Sequence, residues 1–138
     1  MAGGKPFRKA QESFLEFCHC AGQKLSTPLV LHYKAGGYKS LRHDLYGEVA
    51  FPLPLAVKLG RQGRDSDAGE FVLVENVSRA QSRAEAITVG EGHGIIFAKR
   101  YRPVKGSKGN YRASLRHGVS RVRRGTRFTL GIIHHDAK

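Results

Sequence analysis

The run Ser26-Thr27-Pro28-Leu29-Val30-Leu31-His32-Tyr33-Lys34-Ala35-Gly36-Gly37 decides the fold class, because the hydrophobic period changes across it. Before it, between Pro6 and Gln23, apolar Phe7, Ala10, Phe14, Phe17, Cys18 and Ala21 recur at three- and four-residue steps, the spacing of a helix with one buried face. After it come short β-rich runs: Leu29 to Tyr33, Val49 to Leu59, Glu70 to Val74, Ala86 to Val89, Gly94 to Ala98 and Phe128 to Ile133. Turn-formers separate several of them, at 34–37, 60–63, 90–92 and 106–109, where glycine permits a positive φ. The pattern predicts a helix over about 6–24 and a β core over 27–138, with the helix packed on the larger sheet. Many short strands with such turns favour a mainly β chain of jelly-roll or barrel type.

Length and composition set the frame. A chain of 138 residues suits one domain over 1–138, with 1–5 as a flexible Gly-Lys leader. Hydrophobic residues at 40% and charged ones at 25% argue against disorder. No apolar run approaches the roughly 20 residues that cross a bilayer, and no signal-peptide core follows Met1, so no membrane and a cytoplasmic location are expected. Cys18 and Cys20 form a lone C-x-C, which reads as two reduced thiols. The net charge is +13, and residues 92–135 hold eleven Lys or Arg without any Asp or Glu. That excess suits contact with a polyanion such as DNA or RNA, and equally a solvated basic face.

Three residues carry candidate chemistry. Asp44, in Leu41-Arg42-His43-Asp44-Leu45-Tyr46-Gly47-Glu48, and His117, in Leu115-Arg116-His117-Gly118, are a carboxylate and an imidazole, the donor types that hold non-haem Fe(II) on one face. On an extended segment i and i+2 share a side, so a second imidazole beside Asp44 belongs at position 42, which is Arg42. Arg127 opens the run Arg127-Phe128-Thr129-Leu130-Gly131-Ile132-Ile133, where a guanidinium suits a carboxylate through two parallel hydrogen bonds. Extended geometry would place the odd members of Arg121, Arg123, Arg124 and Arg127 on one face, with Arg127 directed inward. Other patterns are bland. His134-His135-Asp136 reads as strand-end polarity, His19, His32 and His93 have no assigned role, and no G-x-S-x-G or P-loop is present.

The strings HDLYGE (43–48), AGEFVLVE (68–75), IIFAKRYRPVKG (95–106), YRASLRHGVSRV (111–122) and RFTLGIIHHDAK (127–138) resemble a bacterial 2-oxoglutarate/Fe(II)-dependent oxygenase family related to prolyl hydroxylases and DNA-dealkylating oxygenases. The resemblance runs from about Phe14 to Lys138. It implies a double-stranded β-helix, cupin-like, with an N-terminal α-helix. It also implies Fe(II) on Asp44 and His117, and 2-oxoglutarate held by Arg127 and Tyr33. The implied reaction uses dioxygen and 2-oxoglutarate to hydroxylate or oxidatively demethylate a substrate such as damaged nucleic acid; protein (prolyl) hydroxylation is the other substrate class.

The chain departs from that family at the first ligand. Aligning the family's L-H-Q-D-L-Y-G-E on Asp44 to Glu48 puts Arg42 at the histidine and His43 at the intervening position. Arginine keeps its proton and offers a metal no lone pair. His43 is the third candidate ligand if a β-bulge re-aims its ring. Otherwise Arg42 pairs with Asp44, and the chain is a catalytically impaired basic binding module on an oxygenase scaffold. His93 also stands where relatives have Asp, and the chain starts at the helix, the pattern expected of a divergent or truncated member.

Overall fold

A computed structural model describes residues 10–44, 48–77 and 81–138; the expected leader and the first turn of the expected helix lie outside the described residues. Helix α1 spans Gln11–Cys20. It stops short of Lys24 because Gly22 takes φ +78 while the Ala21 and Gly22 amides close back on Phe17, Cys18 and His19. Its buried residues are Phe14 and Cys18. Phe14 meets Phe51 edge-on at 5.8 Å, Gln11 Nε2 donates to the His134 carbonyl at 3.1 Å, and His19 Nε2 lies 2.8 Å from the Asp136 carboxylate. These contacts run to Phe51 and the C-terminal segment, whereas the sequence pattern pointed to the face of the larger sheet.

The rest of the chain is mainly strand. In order these are β1 (Leu29–Lys34), β2 (Lys39–Arg42), β3 (Leu55–Lys58), β4 (Ser66–Ala68), β5 (Phe71–Val77), β6 (Gln81–Ile87), β7 (Gly94–Ile96), β8 (Tyr101–Gly106), β9 (Gly109–Val119) and β10 (Val122–Ile132). One antiparallel sheet has the order β1-β10-β3-β7, with β4 paired to the first part of β10. The other has the order β2-β9-β5-β6, with β8 alongside the first half of β9. The expected strand at Ala86 to Val89 ends instead at Ile87 and begins earlier, at Gln81. The strand expected from Phe128 starts at Val122, and β2, β4, β8 and β9 lie within the expected β core but outside the runs singled out in the sequence.

Glycine shapes the strand that carries Arg127. Gly125 takes φ +75, and a Cβ there would lie 2.0 Å from the Asp65 carbonyl oxygen, so glycine is required by both torsion and space. The β10–β4 register shifts between Val122 and Arg124. This irregularity switches the inward parity of β10. Val122 is buried ahead of it and Arg127 and Thr129 are buried after it, while Arg121, Arg123 and Arg124 are exposed. The expectation that the odd-numbered arginines share a face therefore fails, although Arg127 does turn inward.

The apolar core between the sheets includes Phe71, Phe97, Leu115, Val119 and Ile133. Several polar side chains are buried with it, among them Asp44, His117, Arg127 and Thr129. Buried polar groups are the informative feature of an interior, because each needs a partner. His135, which the sequence left without a role, is one such group: its Nδ1 accepts the Phe51 amide and its Nε2 stands 3.2 Å from Lys99 Nζ. No helix among the described residues is long and apolar enough to cross a membrane.

Candidate active site

A cavity of about 140 Å³ opens between the two sheets. Its walls bring together Arg42 and Asp44 from the end of β2, His117 from β9, and Arg127 and Thr129 from β10. Leu29, Leu31, Phe71 and Phe97 supply apolar wall.

Strand pairing sets the arrangement at one end. On the β2–β9 ladder Lys39 faces Val119 and Arg42 faces His117, so β2 carries one extra residue between them. This bulge puts Arg42 directly across from His117, and directly opposed residues point to the same face. Asp44, two residues on, joins them: His117 Nε2 donates to Asp44 Oδ2 at 2.9 Å. Arg42 Nε lies 3.1 Å from Asp44 Oδ1, and Lys39 Nζ lies 3.7 Å from Oδ2. Burial alone would raise the Asp44 carboxyl. The His117 hydrogen bond and charge, then Lys39 and Arg42, outweigh burial and hold it at about 2.

His43 is not on the cavity wall. Burial, followed by the charges of Arg100, Arg116 and His117, lowers its pKa. Its Nδ1 is buried without a hydrogen-bond partner among the described residues, as is His117 Nδ1.

Arg127 is the other pole of the cavity. It is 2% exposed, its Nη1 donates to Thr129 Oγ1, and its guanidinium carbon stands 5.4 Å from the centre of the Tyr33 ring, its cross-strand neighbour. Among the described residues its Nε has no hydrogen-bond partner and no carboxylate lies within ion-pair distance. Burial lowers its pKa, only partly opposed by Tyr33 and Glu70. Tyr33 packs on the guanidinium and is not part of the cavity wall. Burial raises its own pKa, against the neighbouring Arg127 charge.

Tested against an iron centre of two imidazoles and one carboxylate, these residues fit at two positions and not at the third. Asp44 and His117 are a carboxylate and an imidazole of the right donor types, held 2.9 Å apart by their own contact. Arg42, facing His117, has no lone pair to offer. Among the described residues no three His, Cys, Asp or Glu side chains converge as a metal-binding group. Of the residues singled out in the sequence, Asp44, His117, Arg127 and Arg42 line the cavity. Lys39, which the bulge brings to Asp44, and Thr129, whose i+2 spacing from Arg127 was the available signal, line it too and were not singled out.

Comparison with known proteins places the chain at the level of family. Residues 1–137 match the model of an oxygenase family described as catalysing oxidative methylation of damaged DNA. Uncharacterized proteins from two strains of Mycobacterium tuberculosis are each 43% identical over 132 residues, which is 96% of this chain and 57% of the relative. The chain thus spans little more than half the length of these relatives, and no solved structure matches it. On the extent of the family match, the chain belongs to this family of oxygenases described as acting on damaged DNA.

Proposed function

We propose that the cavity is a 2-oxoglutarate site and that, in an oxygenase acting on nucleic acid, this chain supplies Asp44 and His117 as protein donors toward Fe(II). The observation that carries the reading is Arg127, a buried guanidinium without a protein carboxylate among the described residues, in the same cavity as the Asp44–His117 pair. An unpaired buried charge costs several kcal/mol, roughly 3–5 when a partner is removed. The distal carboxylate of 2-oxoglutarate would offset that cost through parallel charge-assisted hydrogen bonds.

The chain's alternation between sheets, β1, β3, β7 and β10 in one and β2, β5, β6 and β9 in the other, supports a double-stranded β-helix with the site in its interior. In this reading Arg127 and Thr129 fix the far carboxylate, the Phe71 and Phe97 rings exclude water, and Asp44 and His117 mark the reacting end. The net charge of +13 supports a polyanionic substrate.

One observation favours a second reading. The Arg42 and Lys39 cations already balance Asp44, which supports a basic binding module with an impaired metal site. Anaerobic addition of Fe(II) and 2-oxoglutarate, watched in the visible range, separates the two. A charge-transfer band from the unaltered chain supports the oxygenase. A band that requires Arg42→His supports the impaired module. Failure of both proteins to bind 2-oxoglutarate by calorimetry contradicts the 2-oxoglutarate site and leaves only the basic binding module.

A further inference from the structure

Beyond the Phe97 ring the inner face of the second sheet continues into a cleft of about 310 Å³. Phe97 lines both spaces, and its ring centre is 4.7 Å from that of His117. Leu73, Ile96, Phe97 and Leu115 give the cleft flat apolar walls. Two acidic side chains line it, Glu75, buried at 6% exposure, and Glu85, which is exposed. Glu75 sits on β5 opposite Leu115 of β9, and Leu115 precedes His117 by two residues on the same face.

The Glu75 carboxylate is used unevenly. Arg102 and Arg83 both donate to Oε2, at 2.8 and 3.2 Å. Oε1 is buried and has no hydrogen-bond partner among the described residues. A carboxylate oxygen only accepts, and leaving one unsatisfied inside a protein is costly, so the free atom calls for a ligand N–H. The two guanidiniums extend from there to an outer hollow of about 560 Å³ that also contains Glu75 and Tyr111.

We infer that this cleft is the base pocket of the substrate strand: it takes a nucleobase bearing an exocyclic amine, whose N–H Glu75 Oε1 accepts, while Arg83 and Arg102 meet the flanking phosphates. The inference deepens the nucleic-acid reading and rests on it. An apolar slot beside an acceptor is how proteins hold an unstacked base, and a carboxylate accepting from the cytosine amine is a recurrent pairing. A thymine presents a carbonyl where that amine would be, and two acceptors repel.

The test is binding of fluorescent single-stranded homopolymers of dC, dA and dT to the whole chain at fixed salt. The unaltered protein should prefer dC and dA to dT by about fivefold or more, the lower end of what one base-edge contact gives. Glu75→Gln should bring the three together and leave 2-oxoglutarate binding unchanged. Arg83→Gln, at an exposed rim position, should weaken all three alike and reduce the salt dependence by about one phosphate contact. Methyl NMR of the unaltered protein titrated with dCMP needs no variant, and its shifts should centre on Leu73, Ile96 and Leu115.

Equal binding of all three homopolymers, a preference that survives in folded Glu75→Gln, or dCMP shifts away from these methyls would overturn the inference while leaving the 2-oxoglutarate site standing. Binding to no oligonucleotide would overturn the nucleic-acid reading itself. Loss of 2-oxoglutarate binding alone would leave the base pocket intact.

Discussion

Replacing Arg127 by methionine keeps an unbranched chain of similar length and removes the buried charge. In the ligand-free protein the guanidinium has the Thr129 hydroxyl and the Tyr33 ring to offset its desolvation, and no carboxylate among the described residues. Exchanging poorly compensated buried charge for apolar packing stabilises by roughly 1–4 kcal/mol where it has been measured for ion pairs. After the lost Thr129 bond, a gain of about 1 kcal/mol or more is expected here, a rise in Tm of a few degrees. Ligand affinity should move the other way. A guanidinium and a carboxylate about 4 Å apart attract by about 4 kcal/mol at an effective dielectric of 20. With the ligand's desolvation subtracted, about 2–3 kcal/mol remains, or roughly a 30- to 150-fold loss of 2-oxoglutarate affinity. Calorimetric titration without metal, beside thermal melts of both proteins, measures the two effects. A variant that melts well below the parent, or binds 2-oxoglutarate equally, would refute the assignment of Arg127 to a ligand.

Arg42→His should give the site its third donor, seen as at least a tenfold gain in Fe(II) affinity by anaerobic titration, because position 42 faces His117 across the ladder. Gly125→Ala should cost about 3 kcal/mol or more in urea unfolding, since a left-handed torsion is combined with a contact against the Asp65 carbonyl. Asp44 gives a pH signature in metal-free protein. Its folded pKa of about 2 lies below the unfolded value, so its contribution is complete above pH 4 and is lost as pH falls toward 2. The loss is about 2 kcal/mol, and Asp44→Asn should flatten that limb of the stability curve.

The change from helical to strand periodicity at Pro28 was legible in the sequence, as were β1, β5 and the turns at Gly36, Gly63, Gly92 and Gly109, all of which take positive φ. Strands β8 and β9 were not singled out, because Lys105, Arg112, Ser114 and Arg116 interrupt their apolar positions and dilute the alternation. The alternation was nonetheless there, in Ala113, Leu115, His117 and Val119, and it places His117 on an inner face. Asp44, His117 and Arg127 could be picked out by residue type and motif. Their convergence could not, since it depends on one extra residue in β2 and one left-handed glycine in β10. Glu75 gave no signal at all, because an acidic residue at the end of an apolar run reads as surface until the pairing shows which face it occupies.

The most direct measurement is a crystal structure of the chain grown with 2-oxoglutarate. The account predicts the distal carboxylate within about 3 Å of the Arg127 guanidinium, and the keto-acid end directed at Asp44 and His117. A ligand bound elsewhere, or a cavity that stays free of it at saturating concentration, would contradict the account.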